Sequence, residues 1–382
     1  MIRTIDDMTG SIATFRREAR QWLQANVPSH PSPEDGPASR EYVLAWQRTQ
    51  AQGGWAGLNW PKEVGGRGLS ILEQIVWFEE YARAGGPSPL SASFVGLNHA
   101  GPTLIACGSP EQKAFHLPKI LAGEVIWCQG FSEPGAGSDL AGLRTRGRVE
   151  GNELVIDGHK IWSSFADIGD WQELLIRTDP TAKTSAALSW VICAMNTPGI
   201  TVRPIRTMAG PHKYCEVFYD SVRVPLSNVV GGLNNGWATA MSTLSFERGT
   251  AALALLIGLT IKVEKLLADC PADRLELRLR IARLRADGAS IRASTYRFAL
   301  ESENTVPDAS GSIMRLSFAE FAQRVSAAAI DLYGIDAPEV VGAHGWGHDY
   351  LDAFSETIAG GTAEIQRNII AERVLGLPKG PR

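Results

Sequence analysis

The sequence predicts an α+β protein in which two helical regions flank a compact β-domain. Apolar residues recur at helical spacing at both ends of the chain, whereas the middle consists of short alternating runs separated by turn residues. We expect the domains to span residues 1–125, 126–232 and 233–382. Because strands and helices do not alternate, and no glycine-rich dinucleotide fingerprint or P-loop occurs, nucleotide-binding folds with a parallel sheet are disfavoured.

The first region begins with an amphipathic face formed by Phe15, Ala19, Trp22 and Leu23, and further helices are expected over 39–53, 70–85 and 110–122. In the middle region, the turn "EGN" between alternating runs predicts a hairpin. The runs "ELLIRT", "ALSWVICAM", "GITVRPI" and "YCEVFYDSVRVP" predict further strands. Helical periodicity returns from Gly236, with breaks near 270–273 and 304–311.

The overall composition excludes several classes of protein. A formal net charge of -4 and a pI near 6.0 argue against a nucleic-acid partner, because no strong positive field is available to collect phosphates. The longest apolar run, residues 250–261, is shorter than the roughly 20 residues of a membrane span. Five cysteines without a CxxC pair fit a reduced chain. We therefore expect a cytoplasmic protein that does not bind a membrane.

A glycine-rich loop over residues 127–145 is the first candidate site. Ser132 and Ser138 lie in it with Gly135 and Gly137, so the loop offers hydroxyls and backbone N–H groups to a polar ligand. The alternative is an ordinary glycine-rich turn. Trp162, in the strand "GHKIWSS", is a second candidate, and its alternative is a core tryptophan.

Glu247 is the third candidate. On a helix it shares one stripe with apolar residues, namely Ala240, Leu244, Ala251 and Leu255. Burial in such a row raises the pKa of a carboxylate towards the range of a useful proton acceptor. The alternative is a buried ion pair with an arginine from elsewhere, since Arg248 falls on a neighbouring stripe. These residues alone leave the two interpretations open.

Gly360 and Gly361 precede a predicted helix start at Thr362, whose apolar stripe comprises Ile369, Ile370 and Val374. Glycine at these positions indicates a positive φ or a close approach. His344 and His348 have the spacing of two metal ligands on a helix. Gly345 and Gly347 make that helix improbable, and no carboxylate pattern supports a metal, so we expect none.

Taken together, these segments resemble the acyl-CoA dehydrogenase family of FAD-dependent flavoproteins. The likeness runs in the family's order through "GLNWPKEVGGRGLS", "WCQGFSEPGAGSDLAGLRTR", "GHKIWSS", "VFYDSVRVPLSNVVG", "LSFERG" and "GGTAEIQRNIIAERVLGLP". The resemblance implies an N-terminal helical domain, a β-barrel-like middle domain and a C-terminal helical bundle.

The resemblance also implies roles for individual residues. FAD would be contacted by Gln129, Phe131, Ser132, Trp162, Ser164, Thr362 and Glu364. Ser132 matches the hydroxyl that bonds the flavin ring, whereas Trp162 and Ser164 match the groups near flavin N5. The acyl-CoA would be contacted by Ser138 and Arg248.

The position of the catalytic base separates two subgroups of the family. Many members carry a glutamate where this chain has Gly360, and a side chain of glycine cannot accept a proton. A minority, similar to the isovaleryl-CoA and long-chain enzymes, carry the base on a helix before an arginine, which corresponds to Glu247. We therefore favour Glu247, with Gly360 contributing its backbone N–H to the thioester carbonyl. A missing side chain at Gly360 also widens the site for a branched or bulky acyl group.

The implied function is α,β-dehydrogenation of an acyl-CoA in lipid metabolism, with electron-transfer flavoprotein as acceptor and a homotetramer or dimer as the assembly. Alternatives are desaturation of a carrier-protein-bound acyl group or a flavin oxygenase on the same fold. Residues 262–284 and 331–339 depart from the family's pattern for the FAD contacts between subunits. A non-catalytic subunit of a heteromeric dehydrogenase is therefore a third alternative.

Overall fold

The computed structural model describes residues 5–33, 36–182, 184–210, 212–247, 252–301, 308–341 and 345–380. These residues form helices, then a sheet, then helices again, which confirms the predicted α+β fold. Within these ranges, every helix is too short or too polar to cross a membrane.

The N-terminal region is helical. Capping boxes start two of its helices, at Ser70 with Glu73 and at Ser109 with Gln112, because each side chain satisfies a backbone N–H that the first turn leaves without a partner. The helices are α1 (Ile5–Asn26), α2 (Gly36–Gln52), α3 (Ile71–Arg83), α4 (Ser93–Val95), α5 (Gly101–Cys107) and α6 (Pro110–Leu121).

A π-helical turn, Gly96–Ala100, joins α4 to α5. The indole of Trp60 donates a hydrogen bond to the carbonyl of Leu97 within this turn, at 2.9 Å. Gly101 follows directly, and a Cβ there would lie 1.9 Å from the Trp60 ring. Single π turns are frequent at functional sites, and this one carries His99 towards the sheet.

The middle region is one sheet with the strands β1 (Trp127–Gly130), β2 (Arg146–Glu150), β3 (Glu153–Ser164), β4 (Trp171–Arg177), β5 (Leu188–Ala194), β6 (Ile200–Ile205), β7 (Tyr214–Pro225) and β8 (Val229–Val230). Their order is β6-β7-β3-β2-β4-β5-β8, and β1 pairs with β4 as well. The predicted hairpin is β2–β3, with Glu150 opposite Glu153. Among the described residues the sheet is open, since its path starts at β6 and stops at β8.

The C-terminal region is a bundle of α7 (Gly236–Glu247), α8 (Ala252–Asp269), α9 (Leu275–Glu301), α10 (Asp308–Tyr333), α11 (Trp346–Glu356) and α12 (Ala363–Ile369), followed by a π-helical turn, Ile370–Val374. The expectation that glycines prevent a helix around His348 is wrong. Gly345 is the N-cap of α11, and Gly347 and His348 lie inside it. Glycine lowers helix propensity by about 1 kcal/mol, which packing of the neighbouring Trp346 into the bundle core can offset.

Buried charges tie the two helical regions together. Glu79 and Glu80 of α3 are almost fully buried, and Arg16 of α1 donates to both carboxylates. Arg292 of α9 also donates to Glu79. Burial alone would raise the pKa of Glu79, but the bonds from Arg292, Tyr296 and Arg16 outweigh burial and lower it. A buried carboxylate that lost these partners would be strongly destabilising.

His116 docks α6 onto the sheet. Its ring meets the paired indoles of Trp127 and Trp171 edge-on, with centroids 5.1 and 4.8 Å away. Burial, and secondarily the charge of Lys119, lowers the pKa of His116 to about 4. The imidazole is therefore neutral in the folded protein at ordinary pH.

This burial makes stability depend on pH. Between pH 6.5 and 4, His116 is protonated in the unfolded chain but stays neutral in the folded protein. The free energy of unfolding therefore falls as the pH falls through that window. We expect His116→Phe to lose less free energy of unfolding than wild type over the window, by roughly 1–3 kcal/mol. Urea unfolding at several pH values measures this, with exposed His30→Phe as the control. Identical pH curves for wild type and His116→Phe would contradict a neutral buried ring.

Candidate active site

A bulge in β3 presents Trp162 to solvent. The pairing of β3 with β7 shifts register between Lys160 and Ser163. Trp162 has φ 62° and is 55% exposed, with its ring edge-on to Tyr214 at 6.0 Å. A bulky residue with positive φ is strained, and such residues cluster at functional sites. Trp162 is thus not the core tryptophan of the alternative interpretation.

The glycine-rich loop lies against this bulge. The backbone N–H of Ile161 donates to the carbonyl of Ser132 at 3.0 Å, which places Ser132 beside the strained residue. Phe131 is buried in the core shared with the helices, and Ser138 is exposed further along the loop. The loop therefore does more than reverse the chain, because it is hydrogen-bonded to the strand that carries Trp162.

Lys160 is a buried cation that the sequence reasoning missed. Its ammonium donates to the carbonyl of Phe131 and to Glu133, both at 2.9 Å. Burial lowers the pKa of Lys160 to about 8, and Glu133 opposes that shift. The signal in the sequence is its phase, because Lys160 lies four residues after Ile156 and six after Leu154, on the face of the alternating strand that buries both.

Gln129 turns its amide towards a buried polar cluster. The Nε2 of Gln129 donates to Oε1 of Glu173 at 2.7 Å, and Nδ1 of His99 lies 3.1 Å from the same oxygen. His99 comes from the π-helical turn and Glu173 from β4, and both are buried. Sequence reasoning missed this cluster, since its members are far apart in the chain.

The glycine pair adopts the conformation that the sequence predicts. Gly360 and Gly361 have φ 64° and 92°, and Nε2 of Gln366 donates to both carbonyls at 2.9 and 3.1 Å. Thr362 is the N-cap of α12 and accepts from Ile365 N–H. Glu364 is exposed in the first turn of that helix.

The helix α7 ends at Glu247. The side chain of Glu247 and the whole of Arg248 and Ala251 lie outside the described residues. Upstream, Ala240 is buried and Leu244 packs against the same core. Ala240 and Leu244 therefore share one core as predicted, whereas Leu255, the other described member of the stripe, lies on α8 and packs against a different core cluster.

Lys213, which is hydrogen-bonded to the chain just after the bulge, lies near acidic residues of the C-terminal bundle. The carbonyl of Lys213 accepts from the backbone N–H of Phe165, just after the bulge. Burial opposes the charge of Lys213, but nearby Tyr214 and the acidic residues Asp352 and Glu356 of α11 raise its pKa overall. Arg315 donates hydrogen bonds to the carboxylate of Glu356 and to the carbonyl of Ala359, three residues further on. Arg315 therefore holds the end of α11 to the segment that leads to Gly360.

A flat aromatic cofactor with a polar edge fits these residues. Trp162 offers an exposed indole face, and Ser132 and Ser164, both half-buried, place hydroxyls on either side of it along the chain. For a metal, the described ranges hold no group of three His, Cys, Asp or Glu side chains, and His344 lies outside them. The helix–sheet–helix order and the exposed, strained tryptophan agree with the class of flavin-dependent oxidoreductase that the sequence resemblance implies.

Comparison with known proteins specifies the family. The acyl-CoA dehydrogenase N-terminal, middle and C-terminal domains match residues 10–124, 128–222 and 234–375. "Acyl-CoA dehydrogenase IpdE1" of Mycobacterium tuberculosis is 36% identical over 384 residues, covering 96% of this chain and 98% of that protein. The chain belongs to the acyl-CoA dehydrogenase family, so it is an oxidoreductase acting on CH–CH groups with FAD as cofactor.

Solved structures agree with this assignment. The "Tcur3481-Tcur3483 steroid ACAD" superposes with a TM-score of 0.85 at 32% identity, over 97% of this chain and 98% of that chain. The "ChsE4-ChsE5 complex from Mycobacterium tuberculosis" gives 0.80 at 29% identity over the whole of both chains. The resemblance stated from the sequence is confirmed for family, fold and cofactor, whereas the roles of individual residues stay predictions.

Proposed function

We propose that this chain removes the α-proton and β-hydride of an acyl-CoA thioester and that Glu247 is the base. The observation that carries this proposal is Gly360. The residue before Gly361 and Thr362 has no side chain to accept a proton, so the base must come from another element. Glu247 closes α7, whose upstream residues face the core next to the π-helical turn.

The exposed bulge supports the proposed cofactor contacts. Ser132, Trp162 and Ser164 would line the ring, with Phe131 behind the loop and Gln129 contributing its remaining amide oxygen. Thr362 and Glu364 would contact the nucleotide part from the start of α12. When bound, FAD supplies the acceptor for the hydride that leaves the β-carbon.

The protein's own groups would handle the proton and the charge. A carboxylate at Glu247 takes the α-proton, and the electron pair left behind is delocalised onto the thioester oxygen. The backbone N–H of Gly360 donates to that oxygen and stabilises the charge. Ser138 and Arg248 would hold the acyl-CoA.

We infer a bulky acyl group, with fused rings or branching. Two features support it: Gly360 leaves space where other members carry a carboxylate, and one similar solved structure is named a steroid enzyme. Electron-transfer flavoprotein in the cytoplasm is our proposed acceptor, on the resemblance alone.

Exposed apolar side chains near the C-terminus support an oligomer. They cover the end of α11 and the segment after α12 and comprise Phe354, Ile358, Val374, Leu375 and Leu377. An exposed apolar group of this kind marks an interaction surface. We propose a dimer or tetramer, with a heteromer as the alternative because residues 262–284 and 331–339 depart from the family's pattern.

For the base, we expect anaerobic mixing of wild type with bulky acyl-CoAs to bleach the flavin absorbance. Glu247→Gln should retain FAD but lower the rate of bleaching by at least about 10³-fold, because no other group replaces the base. Glu276→Gln, in the first turn of α9, is the matched control. Rapid bleaching in Glu247→Gln would place the base elsewhere. Bleaching that requires oxygen or a carrier protein would instead support the alternative reactions on this fold.

For the assembly, light scattering of the purified chain should give a dimer or tetramer mass. Leu375→Glu with Leu377→Glu should shift that mass towards the monomer, because two charges would be desolvated in the interface. A monomeric wild type without FAD would support the non-catalytic subunit of a heteromer instead.

For the acyl group, we expect Gly360→Glu to reduce the preference for bulky over straight-chain acyl-CoAs, measured as a ratio of kcat/KM values. Gly360→Ala separates backbone strain from the added carboxylate. Alanine also meets the left-handed backbone, at a cost of about 1 kcal/mol, but it adds no carboxylate. An unchanged ratio in Gly360→Glu would contradict a pocket widened by glycine.

A further inference from the structure

Lys160 has no exposed surface, and its position is energetically expensive. Removing an ammonium and a carboxylate from water costs several kcal/mol per ion, and well-packed apolar residues often replace such a pair without loss of stability. Stability alone therefore does not explain a lysine here. The explanation must lie in what its partners do.

Those partners flank Ser132 on both sides. Lys160 bonds the carbonyl of Phe131 and the carboxylate of Glu133 at 2.9 Å each. Between them, the carbonyl of Ser132 accepts from the N–H of Ile161. Three consecutive loop residues are thus fixed to two consecutive residues of β3.

Glu133 extends the attachment to the far side of the loop. Its two carboxylate oxygens accept the backbone N–H groups of Arg144 and Thr145 at 2.6 and 2.8 Å. The N–H and carbonyl of Glu133 also pair with Ala136 across the turn. The carboxylate therefore holds both ends of the loop, and Lys160 fastens it to the strand.

The attachment point coincides with the bulge. Lys160 is the last residue of β3 in register with β7 before the shift, and Trp162 adopts its positive φ two residues later. Fixing Lys160 to the loop consequently sets the separation of Ser132 from Trp162.

We propose that Lys160, with Glu133, is a positioning residue that holds Ser132 and Trp162 at the spacing FAD requires. The inference rests on the proposed flavin contacts of those two residues. A loop that is already in place loses little conformational freedom when the ring binds, so the affinity for FAD should depend on the pair. Neither side chain needs to touch the cofactor.

The test compares wild type with Lys160→Met, Glu133→Gln, the double variant, and Val224→Ala as a matched control. Val224 is a buried residue of β7 opposite Leu154, at the other end of β3 from the bulge. Three measurements are made on each protein: the Kd of the apoprotein for FAD by fluorescence titration, the visible spectrum of the bound flavin, and the urea midpoint of unfolding.

We expect Lys160→Met to raise the Kd for FAD by about tenfold to a hundredfold and to alter the flavin spectrum, because the charged hydrogen bonds to the loop are lost. Val224→Ala should lower the urea midpoint yet leave the Kd within about twofold, since its cavity lies away from the loop. The double variant should have a higher urea midpoint than Lys160→Met, because no unpaired charge stays buried. Its affinity for FAD should stay low.

A Lys160→Met protein that loses stability and binds FAD as wild type does would overturn the inference, as would a double variant that regains affinity together with stability. If Lys160→Met does not fold, Glu133→Gln tests the inference instead, because glutamine keeps the shape of the side chain. An unchanged Kd of Glu133→Gln for FAD would equally overturn the inference. A wild type that binds no FAD would contradict the proposed function itself, whereas equal affinities in wild type and variant contradict only the role of Lys160.

Discussion

The arrangement of the site depends on one hydrogen-bonded junction, between the bulge of β3 and the loop around Ser132. A strained conformation such as that of Trp162 persists only where its surroundings leave it no alternative. Here the strand is fixed on one side of the bulge by the Ile161–Ser132 bond and on the other by the bond from Phe165 to Lys213. The indole is therefore presented by backbone bonds, and its own side chain is left exposed for a ligand.

The three regions supply this junction with a rigid frame. The buried carboxylate of Glu79 on α3 accepts from Arg16 of α1 and from Arg292 of α9, so separating the first and last regions would break the bond to Arg292. The His99–Glu173 contact fastens the π-helical turn to β4, and His116 fastens α6 to the paired indoles. Each of these contacts joins elements far apart in the sequence. The site lies where the regions meet, so its geometry depends on the whole fold.

Local signals in the sequence predict much of this structure, and long-range contacts account for the rest. The helix predicted from residue 70, the "EGN" hairpin and the cap at Thr362 each depend on signals close together in the chain, and all three are present. The burial of Lys160 and Glu173 depends on partners that are distant along the chain. The sequence does not identify those partners and indicates only which face of the strand each residue occupies. The prediction that Gly347 prevents a helix fails for the converse reason, because packing overrides a weak local propensity.

The glycine pair before α12 makes the cost of substitution at position 360 depend on its direction. Both residues sit in left-handed backbone, and Gln366 fastens both carbonyls. If the base is Glu247, as proposed, position 360 needs no carboxylate, and its neighbours can pack around a residue without a Cβ. A glutamate at position 360 would enter a left-handed backbone that disfavours any side chain. Replacing glycine by glutamate at this position would therefore carry a backbone cost that the opposite replacement does not.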